Sequence, residues 1–340
     1  MTGRYVIIGA GAIGAHLAAQ LTLAGVPAVL VARGAQLEAL RSGPLVLRKA
    51  DGDERVTLTV AGDAAEAALS ADDVLVLAVK TQDAEAVIAD WAWIPLAGSE
   101  DLVAADLPLV VLQNGVATEE VARRRFGRVV SVATVVPVNF LEPGVVIPYA
   151  GTGTGYFQVG ALDGRQEADA ELVSRIAADL ERAGYVTRVR DDITRRKHEK
   201  LLHNITNAVH VLAGDEDERA RLSAELVAEA RAVLAAAGFD LDIPADVDLG
   251  QAIGGGRPPA APTPERPPFR GSTWQNFVKG TPSEIDYLNG EIVLLGRRAG
   301  VPAPLNERVQ RILGRASATG EGPGAHHIGE VLALASAERN

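Results

Sequence analysis

Residues 4–25 read RYVIIGAGAIGAHLAAQLTLAG, and this stretch decides the fold. Arg4 to Ile8 is a short β-rich run. Residues 12–25 then change to helical spacing, with Ile13, Leu17, Leu21 and Ala24 on one face. Between them lies Gly9-Ala10-Gly11-Ala12-Ile13-Gly14, a G-x-G-x-x-G. Alone the motif says little. Following a strand and opening a helix at the start of a βαβ unit, it predicts a pyrophosphate-binding turn. Gly9 allows the tight turn, Gly11 lets a phosphate approach the backbone, and Gly14 lets helix pack on strand. The helix N-terminus offers free N–H groups and the positive end of its dipole.

The pattern continues outward from this unit. AVLVA (28–32), DDVLVLAVK (72–80), LPLVVLQN (107–114) and RVVSVATVV (128–136) are further strand-like runs, and helical segments lie between most of them. Near-continuous apolar strands alternating with helices predict a parallel sheet covered on both faces. Residues 44–60 read as a hairpin around Ala50-Asp51-Gly52-Asp53, and Gly144 to Gly160 as further strands. From about residue 190 the pattern is helical, over 192–213, 219–237, 283–299 and 304–315. Residues 242–271, rich in Pro and Gly, predict an extended loop. The expected fold class is therefore α/β, an N-terminal Rossmann-type doubly wound sheet followed by a mostly α-helical domain. The expected domains are 1–190, which binds the dinucleotide, and 191–340, which binds substrate and carries the catalytic groups.

Composition narrows the function. The 340 residues include 33 Lys+Arg and 44 Asp+Glu, a net charge of −11, with the acidic excess in both halves. Nucleic acid or an anionic membrane calls for a basic surface. The one tight basic cluster, Arg123-Arg124-Arg125 with Arg128, falls in a helical pattern and reads as a solvated face. The absence of cysteine excludes disulfides, thiol nucleophiles and iron–sulfur clusters. Six histidines (His16, His198, His203, His210, His326 and His327) show no metal-binding spacing, so no metal is expected. No apolar run is long enough to span a membrane. The first residues could pass for a signal peptide, but three glycines, His16 and Gln20 interrupt the apolar run. The chain is expected in the cytoplasm.

Several side chains sit where ligands sit. After the second strand, an acidic residue would bind the ribose 2′-OH of NAD, but this chain has Arg33, whose guanidinium suits a 2′-phosphate. NADP(H) is the expected cofactor. Lys80 and Asn114 each end a strand, the edge at which open α/β sheets bind ligands. Their alternatives are an exposed loop lysine and a turn or helix cap before Gly115. In the helix at 192–213, Lys200 and Asn204 stand at i, i+4, and Asn207 at i+7 is nearly aligned with Lys200. The stripe is either a polar site in an apolar wall or a solvated face. The chain uses 5 lysines against 28 arginines, and a lysine can transfer a proton that arginine holds. Thr281-Pro282-Ser283-Glu284 fits a capping box with Thr281 at N-cap, Pro282 at N1 and Glu284 at N3. That role competes with a catalytic one for Glu284.

Taken together, GAGAIG (9–14), VARG (31–34), LAVKTQ (77–82), QNGV (113–116), KHEKLLHNITNA (197–208), STWQNFVKGTPSEIDYLNGE (272–291) and GVPAPLN (300–306) resemble the ketopantoate reductase (2-dehydropantoate 2-reductase) family. The resemblance implies a Rossmann domain joined to a helical domain, an active site in the cleft between them, and NADPH-dependent reduction of a small 2-oxo acid. It implies that Lys200 and Glu284 are catalytic, and that Asn204, Ser272, Asn114 and Lys80 meet the substrate; Asn207, one residue before the position of the family's second Asn, is expected to join them from its place on the stripe. Gly9, Ala10, Gly11, Ala12, Ile13, Gly14 and Arg33, again with Lys80 and Asn114, would hold the cofactor. It is compatible with a homodimer. Three features depart from the family pattern: Ala208 where a second Asn is usual, His198 where Trp is common, and the loop at 242–271. These leave two alternatives, a reductase of another 2-oxo acid and a catalytically silent NADP(H)-binding regulator.

Overall fold

A computed structural model describes residues 3–99, 101–149, 154–162, 167–241, 263–265 and 269–337. Most of the expected loop at 242–271 lies outside the described residues. The chain forms two compact units, one holding the residues up to Gln113 and Thr118–Thr194. The other holds Asn114–Ala117 and the chain from Arg195 and from Arg270 onward.

The first unit is built on strands β1 (Tyr5–Ile8), β2 (Ala28–Val31), β3 (Leu45–Lys49), β4 (Gly52–Val56), β5 (Thr59–Ala61), β6 (Val74–Leu77), β7 (Leu109–Val111), β8 (Val129–Val135), β9 (Val138–Glu142), β10 (Val145–Pro148), β11 (Tyr156–Ala161) and β12 (Val186–Val189). The large sheet runs β12-β11-β8-β7-β6-β1-β2-β5. From β5 to β8 every pairing is parallel, and the order is that of a doubly wound dinucleotide fold. β11 joins β8 antiparallel and carries β12 parallel to itself.

The strands are apolar on both faces because both faces are covered. Tyr5 and Ile7 pack in one core, whereas Val6 and Ile8, the alternate positions of the pleat, pack in a second core on the opposite face. Each fully buried Leu, Ile or Val contributes about 1.5–3 kcal/mol relative to exposure. β1 lies between β2 and β6, where the strand order reverses, so its carboxyl end is the switch point at which such sheets bind ligands.

The hairpin expected around residues 50–53 is β3 and β4, turned at Gly52 with φ 129°. It belongs to a separate four-stranded sheet, β4-β3-β10-β9, which joins it to the chain after β8. The helix Ala12–Leu23 packs against this small sheet.

The second unit is helical around one apolar core that includes Leu201, Leu202, Ile205, Leu222, Leu226, Ile292, Val309 and Leu313. The single helix expected over 192–213 is two segments, an α-helix at Ile193–Asn204 and a 3₁₀ turn at Ile205–His210. Apolar periodicity runs through both. The break coincides with a tertiary hydrogen bond from Asn289 to the Ile205 carbonyl, which that periodicity cannot reveal. The next helix starts at Glu216, earlier than expected, with a capping box between Asp215 and Glu218. The capping box expected at 281–284 does not form. The helix Ser272–Lys279 ends at Gly280 with φ 63°, and Asn276 Nδ2 donates to the Pro282 carbonyl at 2.5 Å, pinning the segment as a turn. Thr281 Oγ1 turns back to the Asn276 carbonyl at 3.4 Å. Glu284 precedes a 3₁₀ turn at Ile285–Tyr287, and the α-helix begins at Asn289. Among the described residues no helix is long and apolar enough to cross a membrane, and no cluster of His, Asp or Glu could hold a metal ion.

Candidate active site

In the first unit the site is made of backbone. Gly9 has φ 114°, and a Cβ there would stand 2.8 Å from the Ala78 carbonyl carbon. A Cβ on Gly14 would stand 1.9 Å from the Gly9 carbonyl oxygen, so this position is closed to any side chain. Gly11 differs, because a Cβ there would meet nothing within 4 Å. Gly11 caps the helix Ala12–Leu23 without a side-chain hydrogen bond, and no acidic residue occupies the first turn. The first N–H groups of the helix are therefore left for an anion, with the dipole favouring it. This is the cradle that a dinucleotide pyrophosphate requires.

Two cations flank the strand ends of this unit. Lys80, half-buried, caps the helix Thr81–Ala92 at the carboxyl end of β6, beside β1. Arg33 follows β2 and precedes the helix Gly34–Ser42. Its side chain is exposed and forms no ion pair among the described residues. Gln113, at the end of β7, donates its Nε2 to the carbonyls of Leu77 and Val79 at 3.0 and 2.9 Å, tying β7 to β6.

In the second unit the site is made of side chains. Lys200 Nζ donates to Asn204 Oδ1 at 2.7 Å, and Asn204 Nδ2 donates to Asn114 Oδ1 at 3.2 Å. Asn204 is buried, so its amide is fixed at both ends. Asn114, expected to meet both substrate and cofactor, belongs by its packing to the second unit. Gly115 follows with φ 83°, so tightly placed that a Cβ would stand 2.7 Å from the Tyr287 carbonyl oxygen. Asn114–Gly115 thus touches Asn204 on one side and the turn after Glu284 on the other.

Lys200 hydrogen-bonds to a neutral amide in this network. Burial first, and the Lys197 ammonium one turn earlier second, together lower its pKa from the usual lysine value to about 8. Lys197 is itself buried. Sequence reading missed it, although the scarcity of lysine in this chain could have singled it out.

Glu284 is buried, and its backbone carbonyl accepts from Tyr287 N–H at 2.9 Å. Ser272 opens the helix Ser272–Lys279. Asn207 reaches the residue before it: a Cβ on Gly271 would stand 2.8 Å from Asn207 Oδ1. His198 is buried and stacks on Phe239, ring centroids 3.7 Å apart, so this position keeps an aromatic packing role.

The family model described as Ketopantoate reductase PanE/ApbA matches residues 5–164, and its C-terminal companion matches residues 192–316. This chain belongs to the ketopantoate reductase family. A 2-dehydropantoate 2-reductase of Archaeoglobus fulgidus is 31% identical over 319 residues, covering 91% of this chain and 96% of the relative. One from Mesorhizobium japonicum is 30% identical, covering 92% and 97%. Among solved structures, D-mandelate dehydrogenase with NADH and anilino(oxo)acetate superposes at a TM-score of 0.72 with 19% identity, covering 93% of this chain and 99% of that one. Ketopantoate reductases are oxidoreductases, and the parallel sheet followed by a helical unit is the family's architecture.

Proposed function

We propose that this chain reduces 2-dehydropantoate to pantoate with NADPH, a cytoplasmic step toward pantothenate. The observation that supports it most is the Lys200–Asn204–Asn114 network, in which a lysine with pKa near 8 is held in one direction. The residues of 1–190 hold the dinucleotide. The turn Gly9–Gly14 takes the pyrophosphate, Arg33 the 2′-phosphate, and Lys80 and Asn114 the nicotinamide end. The residues of 191–340 hold the keto acid. NADPH, when bound, supplies the hydride to the ketone carbon.

The protein's own part is the proton. As the ketone oxygen gains negative charge, the Lys200 ammonium stabilises it and gives up one proton to it, leaving a neutral amine and a hydroxyl. A pKa near 8 suits this, because the ammonium is present at neutral pH yet releases its proton more readily than an ordinary lysine. Asn204 accepts from the ammonium and so aims it. Asn207 and Ser272 hold the carboxylate or hydroxyl of the substrate, and Glu284 orients Lys200 or the substrate hydroxyl. The net charge of −11 provides no long-range attraction for an anionic keto acid, so these local groups supply it.

A second reading, reduction of a different 2-oxo acid, is favoured by Ala208, which leaves Asn207 as the only asparagine beyond Asn204 on this turn. The experiment is NADPH consumption by the purified enzyme with 2-dehydropantoate beside a panel of branched and aromatic 2-oxo acids. The highest kcat/KM is expected for 2-dehydropantoate. A higher value for another acid supports the second reading. No turnover with any acid, with NADPH still bound, overturns both in favour of a silent binder.

A further inference from the structure

Behind the polar stripe runs a second chain of buried amides. Glu229, on the helix Glu216–Ala236, accepts from the backbone N–H groups of Leu305 and Asn306 at 3.0 and 2.9 Å. It thereby caps the helix Pro304–Thr319, whose own N-cap, Ala303, has no side chain to do so. Asn306 Nδ2 donates to Glu229 Oε1 at 2.8 Å and to the Leu226 carbonyl at 3.3 Å. Asn306 Oδ1 accepts from Asn289 Nδ2 at 3.0 Å, and the same Nδ2 reaches the Ile205 carbonyl at 3.3 Å. Asn289 and Asn306 are both fully buried. Asn289 Oδ1 has no hydrogen-bond partner among the described residues. Leaving an amide oxygen so costs stability, which packing alone would avoid by placing an apolar residue there.

This chain ends one residue after Asn204, where the α-helix becomes a 3₁₀ turn. The change of pitch matters for Asn207. Three residues of α-helix turn about 300°, which would leave Asn207 about 60° from Asn204, whereas three residues of 3₁₀ turn about 360° and set one directly above the other. In that position Asn207 lies against Gly271, next to Ser272.

We propose that Asn289, oriented by Asn306 and Glu229, is a positioning residue that holds the Ile205–His210 turn in its 3₁₀ pitch and so sets Asn207 directly over Asn204 and against Gly271, making Asn289 specificity-determining without contact with substrate. The inference rests on the proposed function, deepening its assignment of Asn207 to the keto acid. Without the Asn289 amide, the Ile205 carbonyl is free to take the Val209 N–H as in a continuing α-helix, and Asn207 turns about 60° away from Asn204.

The test is a double-mutant cycle in the full-length enzyme, with Asn289→Leu, Asn207→Ala and the pair, assayed with 2-dehydropantoate and NADPH. Each single substitution is expected to raise KM for the keto acid roughly 5- to 10-fold, the scale of one lost hydrogen bond, with kcat and the KM for NADPH nearly unchanged. The pair is expected to be no worse than either alone. Additive effects overturn the proposal, as does an Asn289→Leu enzyme that loses kcat and NADPH affinity together, or an Asn207→Ala enzyme with unchanged KM. Should Asn289→Leu not fold, Asn306→Ser removes the acceptor that orients the Asn289 amide while leaving the Glu229 cap on the backbone, and the same coupling to Asn207→Ala is required. Wild-type turnover of 2-dehydropantoate tests the functional reading separately. If another 2-oxo acid is the better substrate, the same cycle is run with that acid.

Discussion

The glycine turn of the first unit and the lysine stripe of the second are built from opposite materials. The turn works by absence: Gly9 and Gly14 have no room for a side chain, and Gly11 leaves its face open. The stripe works by presence, through an ammonium, amides and the residues that fix their direction. A site made of bare backbone depends on a few adjacent residues. A site made of side chains depends on support from distant ones, and that support is where it can be broken without touching it.

The comparison can be tested from each side. Among substitutions that leave Lys200 in place, the largest effect is expected at the turn. Gly11→Val keeps the fold, because its side chain enters open space, but fills the anion cradle, and NADPH binding measured by fluorescence titration should weaken about 100-fold or more. Gly14→Ala places a methyl 1.9 Å from the Gly9 carbonyl and should instead abolish soluble folded protein. Equal NADPH affinity in Gly11→Val would mean that the cradle is not the binding site. The next effect is at the strand end. Arg33→Asp should move the ratio of NADPH to NADH kcat/KM toward NADH by about tenfold or more, and an unchanged ratio would remove Arg33 from the cofactor site.

The smallest effect is expected beside the stripe, at Lys197. Lys197→Gln removes a positive charge beside Lys200, so the Lys200 pKa should rise from about 8, and the alkaline fall of kcat/KM should move to higher pH. The sign follows from the mechanism: the proton donor must be an ammonium, so activity is kept below its pKa and lost above it. A fall that stays in place would show that Lys197 does not tune it.

The same contrast explains what the sequence could reveal. The turn and the parallel strands were legible because glycine spacing and apolar runs are local. So was the spacing of Lys200 and Asn204, which the α-helix preserves. The small sheet was not, because β3 pairs with β10 across about a hundred residues and no local pattern records the pairing. The 3₁₀ break after Asn204 coincides with a hydrogen bond from Asn289, and the turn at Glu284 with one from Asn276, and neither donor lies within the segment it bonds. The same holds for Asn114, whose place in the second unit goes with its hydrogen bond to Asn204 and with the packing of the next residue, Gly115, on the Tyr287 carbonyl rather than with the strand it follows.

The central claim is that the Lys200 ammonium is the proton donor. Its most direct test is kcat/KM for NADPH-driven reduction of 2-dehydropantoate across neutral to alkaline pH in wild type and Lys200→Ala, with NADPH affinity measured beside it. Turnover should fall about 10²- to 10⁴-fold in the variant. The wild-type decline near pH 8 should vanish, and NADPH should bind as before. Near-full turnover in Lys200→Ala, or the same alkaline decline in both enzymes, would contradict the claim.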